Sequence, residues 1–139
     1  MTNSDNRRIG SFYSRDTVMA ASPARLLTML YDRLLIDLGR AELAQGREYW
    51  DVAEVNLLHA QDIVSELAST LKVDEWEGGH ALFALYTYVA NTLIQANIRR
   101  DIDKTREAIR LLEPLRQAWH QAADSEATLV GAPRLSDVG

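Results

Sequence analysis

Cysteine is absent from this chain. That excludes disulfides and thiolate metal sites, and it fits a reducing compartment, so the expected location is the cytoplasm. Basic runs are also missing. Lysine and arginine cluster no further than Arg7-Arg8 and Arg99-Arg100, and the net charge is −5 with a pI near 5.1. Binding to a phosphate backbone needs a basic face, so nucleic acid is excluded as a partner class. The opening MTNSDNRRIGS has no apolar core, and no secretory signal is expected from it. Residues 78–98 lack Asp, Glu, Lys and Arg over about the length of a membrane span. However, Gly78, Gly79, His80, Thr87, Asn91, Thr92, Gln95 and Asn97 make that segment too polar for hydrocarbon, and no membrane insertion is expected.

Catalytic signatures are equally sparse. The chain has no glycine-rich phosphate loop and no nucleophile elbow. Glu77 and His80 have the spacing of a di-iron ligand pair, but two glycines lie between them and no second Glu-x-x-His exists. No metal and no cofactor are therefore expected. Ser22 precedes a proline and reads as a helix cap, while Asp62 and Glu66 read as a solvated acidic face. His59 and His120 read as surface or packing residues. No catalytic set emerges, and the chain is expected not to be an enzyme.

What is present is a 47% apolar sequence of 139 residues, enough for one domain with a core. Its apolar residues recur at helical spacing in four segments, with little strand signal. The first begins at Pro23 behind the cap Ser22, carries Leu27, Tyr31, Leu34, Leu38 and Ala41, and stops near Gly46. The second runs from a cap at Asp51 to Lys72 with Ala53, Leu57, Ala60, Val64, Leu67 and Leu71 inward. The turn Val73–Gly79 precedes a third helix to about Arg100, with Leu82, Tyr86, Val89, Leu93 and Ala96 inward. Asp101 caps the fourth, whose stripe is Ile102, Thr105, Ile109, Leu112 and Trp119. Pro114 predicts a kink near residues 110–114.

These segments predict an all-α, antiparallel four-helix bundle over residues 21–123. Residues 1–20 are expected to form a flexible N-terminal strap, and residues 124–139, lacking periodicity, a disordered C-terminal tail. The strap is apolar at Phe12, Tyr13 and Val18, yet it cannot extend the first helix through Pro23.

The second and fourth helices read as charged on their outer faces, whereas the first and third carry apolar residues beyond one core stripe. On the third these are Phe83, Ala90 and Ile94, with Tyr88 and Ile98 also outward. On the first they are Leu26, Met29, Leu30, Leu35 and Ile36. Three explanations fit the surplus: irregular packing inside the bundle, a binding groove covered by the strap at rest, or a homodimer seam along the third helix.

The ordered pieces resemble the FliS family of flagellar export chaperones. The likeness runs from about Phe12 to Gln121. It is carried by Tyr13, Val18, Ala21-Ser22-Pro23, Leu26 and Met29-Leu30-Tyr31-Asp32. It continues through Asn56, Ala60-Gln61-Asp62-Ile63 and Glu66-Leu67, then Gly78-Gly79. Leu85-Tyr86-x-Tyr88, Leu93, Ala96-Asn97 and Asp101 follow, and Leu115-Arg116-x-Ala118-Trp119 closes it. Ala24-Arg25, Thr87 and Pro114 depart from the family pattern.

The resemblance implies a chaperone that binds the disordered C-terminal segment of flagellin and prevents its premature polymerisation. It also implies delivery to the flagellar type III export apparatus, with the cytoplasmic part of the export gate as a second partner. The expected contacts are Phe12, Tyr13 and Val18 as a displaceable plug. Leu26, Leu30, Phe83, Tyr88 and Ile94 would be apolar contacts, and Asn97 a hydrogen-bonding group for the client backbone.

Overall fold

The computed structural model describes residues 22–75 and 77–138, with side chains through residue 125. Among these residues four helices follow one another: α1 Pro23–Gly46, α2 Trp50–Thr70, α3 Gly79–Ile98 and α4 Ile102–Val138. A single 3-10 turn, Val73–Glu75, lies between α2 and α3. Each helix packs against its neighbours in sequence, and α4 returns to pack against α1. The result is a closed ring in which α1 and α3 face each other across a diagonal.

Local chemistry sets the helix ends. Ser22 caps α1 by accepting a hydrogen bond from the Arg25 amide at 3.2 Å, with Pro23 at the first helical position. Asp101 does the same for α4, where its carboxylate accepts from the Asp103 amide at 3.0 Å. α2 differs from expectation. It starts at Trp50 after Tyr49, which makes no side-chain cap, and Asp51 sits in the first turn instead. There a carboxylate still favours the helix by meeting its positive end. α3 starts behind Gly78 at φ 88°, a conformation that suits glycine. At Gly79 a Cβ would overlap the carbonyl oxygen of Val73, so the turn packs directly on backbone.

The core consists of Tyr31, Leu34, Leu38 and Ala41 from α1, Leu57, Ala60, Ile63, Val64 and Leu67 from α2, the whole expected stripe of α3, and Ala108 and Leu112 from α4. Leu27, Leu71, Ile109 and Trp119 sit at its margin, half-buried. Leu30 and Leu35, surplus residues on α1, also pack against it. Polar groups enter this interior in pairs. The Tyr31 and Tyr86 hydroxyls share a hydrogen bond of 2.6 Å. Gln45 donates to the Ala96 carbonyl at 3.2 Å and accepts from the Thr105 hydroxyl at 2.6 Å, tying α1 to α3 and α4.

One expectation needs correction. The outer face of α2 is not simply charged, because Val52, Val55 and Leu58 stand exposed on it, while Asp62 and Glu66 are half-buried. The helical backbone of α4 includes Pro114 and continues through residue 138. Extending an existing helix fixes one residue at a time and avoids the cost of a new nucleus.

Candidate functional site

Small residues create an apolar concavity. Along the seam between α3 and α4, Ala81, Ala118 and Ala122 replace what larger side chains would fill. They leave an apolar furrow of about 460 Å³. Leu82, Leu85, Leu115 and Trp119 complete its walls, and Gly78 lies at its open end. One turn beyond Leu85, Tyr88 reaches across the seam and its hydroxyl donates to the Glu107 carboxylate. That acceptor raises the Tyr88 phenol above its usual value. The furrow thus has an apolar trough and a polar bridge at its upper limit.

Trp119 links the furrow to the interior, since it packs against the core that holds Tyr31, whose hydroxyl pairs with Tyr86. Burial raises both phenols. Next to them Asp32 of α1 accepts from Arg116 at 2.9 Å and pairs with His120 at 2.7 Å. The opening turns of α1 therefore stand beside residues 116–120 of α4.

A second, smaller cavity of about 250 Å³ lies at the opposite end of the bundle, between α2 and α3. Its lining is mostly polar and includes Asn97, Glu54 and Trp50, whose ring lies under the Arg100 guanidinium at 5.1 Å.

The expected contact residues distribute as follows. Phe12, Tyr13 and Val18 lie outside the described residues. Phe83 (46% exposed) and Ile94 (39%) share one outward row of α3, at the spacing 83, 87, 90, 94. Tyr88 is exposed on the α4 side of the same helix, at the furrow. Asn97 is half-buried and lines the smaller cavity. Leu26 and Leu30 are half-buried on α1, across the diagonal from α3, and the fold does not bring them to Phe83 or Ile94.

Sequence reasoning missed most of the furrow's lining. Ala81, Ala118 and Ala122 contribute by being small, which hydropathy does not register; alanines four apart at 118 and 122 beside Trp119 were the available signal. It also missed Asp37, fully buried between α1 and α2 and paired with His59 and Arg33. Burial pushes that carboxyl up, against the opposing pull of His59, Arg33 and Arg40. Among the described residues no group of three or more His, Asp or Glu is placed to hold a metal, and no helix is long and apolar enough to cross a membrane.

Comparison with known proteins gives a consistent result. The family described as Flagellar protein FliS matches residues 6–126. The Flagellar secretion chaperone FliS of Bacillus subtilis (strain 168) is 33% identical over 114 residues, covering 82% of this chain and 85% of that protein. The protein of the same name from Escherichia coli (strain K12) is 34% identical over 108 residues, covering 76% and 79%. That from Salmonella typhimurium is 34% identical over 109 residues, covering 75% and 78%. A family match across the whole bundle, with relatives above 30% identity over most of their length, places this chain in the FliS family of flagellar secretion chaperones.

Proposed function

We propose that this protein binds the disordered C-terminal segment of flagellin in the cytoplasm, prevents its premature polymerisation and presents it to the cytoplasmic part of the flagellar export gate. Its role is non-catalytic. The observation that carries this reading is the furrow between α3 and α4. It is open and apolar, and its volume is that of a binding cleft rather than a packing defect. An amphipathic segment that is unstructured when free can fold into such a trough, with large residues over Ala81, Ala118 and Ala122. The exposed row of Phe83 and Ile94 extends the apolar surface around α3 for a client that wraps further. Ordering a segment of this kind buries roughly 1,000–3,000 Å² and costs about 2–5 kcal/mol of the gross gain. A cargo that must be released is suited by that cost.

The strap supplies the resting state of the same site. Tyr13 is nine residues before Ser22, a reach of up to ~30 Å when extended. Phe12, Tyr13 and Val18 can therefore occupy the furrow until flagellin displaces them. Titration with a flagellin C-terminal peptide tests the whole reading. Ala118→Glu places a charge at an exposed position of the trough without touching the core, and it should weaken peptide binding about tenfold or more. Deleting residues 1–17 should strengthen binding. Unchanged affinity in the Ala118→Glu variant would rule the furrow out as the binding site.

A further inference from the structure

The outer face of α1, turned away from the furrow, carries a second regular pattern. Met29, Ile36 and Leu43 recur seven residues apart, and Ile36 and Leu43 are 47% and 57% exposed. Beside them Arg33, Arg40 and Arg47 recur at the same interval, and Arg25 stands at the start of the row. Arg33 is tied to Asp37 at 3.3 Å, whereas Arg25, Arg40 and Arg47 make no ion pair among the described residues. In a chain of net charge −5, this face of α1 is basic and aliphatic. The acidic residues of α1 are engaged by neighbouring cations: Asp32 with Arg116 and His120, Asp37 with Arg33 and His59, and Glu42 with Arg106.

Gly39 is the independent clue. It sits in the middle of a 24-residue helix, exposed, and a Cβ there would meet nothing within 4 Å. Glycine at such a position costs helix stability relative to alanine, and the described residues offer no packing reason for it. Ile36, Gly39, Arg40 and Leu43 are spaced i, i+3, i+4, i+7. Those are the four corners of a hole that receives a side chain from a facing helix in a coiled coil. A missing side chain at one corner deepens the hole.

We infer that the outer face of α1 docks an acidic amphipathic helix of a second protein, seating an apolar knob among Ile36, Gly39, Arg40 and Leu43. Charge decides against a second copy of this chain in the same place, since two α1 faces would oppose two rows of arginine. The furrow lies on the α3–α4 seam, so both sites can be filled together.

The probe is a synthetic helix of about three heptads, with leucine at a and d and glutamate at e and g, compared with its lysine counterpart. The full chain should bind the glutamate helix at least about tenfold more tightly, and added salt should weaken that binding. Gly39→Leu fills the hole at an open position, so it should leave the fold intact while reducing this affinity about tenfold. Arg40→Glu should shift the preference toward the lysine helix. Neither variant should alter binding of the flagellin peptide. Equal binding of both helices, or undiminished binding by a folded Gly39→Leu protein, overturns the inference. Self-association abolished by Gly39→Leu would also overturn it, assigning the face to a homodimer.

Discussion

The hydroxyl pair of Tyr31 and Tyr86 allows a direct test of what holds the interior together. Each phenol is the other's partner at 2.6 Å in the core, so either single change to phenylalanine strands one buried hydroxyl. A typical buried hydrogen bond contributes about 1 kcal/mol net, and an orphaned buried polar group costs about 1–3 kcal/mol. Tyr31→Phe and Tyr86→Phe should therefore each cost about 2–3 kcal/mol. The double variant should cost clearly less than the sum of the two, because it also removes the stranded hydroxyl. Urea unfolding followed by circular dichroism measures all three, and the cycle isolates the coupling. Strict additivity would refute the pairing of the two hydroxyls.

Three further predictions follow from the geometry. Gly79→Ala forces a methyl group onto the Val73 carbonyl and should destabilise by about 2–3 kcal/mol in urea unfolding, whereas Gly39→Ala, facing open space, should stabilise by up to about 1 kcal/mol. Asp101→Ala removes the α4 cap and should cost about 1 kcal/mol by the same assay. For Asp37, the folded carboxyl titrates above its unfolded value near 3.8. Its favourable contribution is present below that pH and fades as pH rises through the raised value. The stability of the parent protein minus that of Asp37→Asn should thus fall with increasing pH from about 4 upward, and a difference that grows instead would contradict the burial argument.

The bundle was legible because its signal is periodic and apolar. The stripe Leu82, Tyr86, Val89, Leu93, Ala96 is buried throughout, and both side-chain caps, Ser22 and Asp101, are where residue chemistry puts them. Polar residues of the interior escaped because their partners are remote in sequence. Asp37 makes sense only beside His59, and Gln45 only beside Ala96 and Thr105. The furrow escaped for a different reason, since an alanine that creates space reads the same as one that fills it. Leu26 and Leu30 were grouped with Phe83 because both helices carried surplus apolar residues. Which helices become diagonal rather than adjacent follows from tertiary packing, not from the surplus itself.

Trp119 spans two environments, one edge packed on the core and the other bordering the furrow. That position makes it a native optical gauge of occupancy. With Trp50 and Trp76 replaced by phenylalanine, emission from the single remaining indole would report ligand arrival and departure in real time. No dye need be attached to either molecule, and the same signal would test the proposed exchange between strap and client.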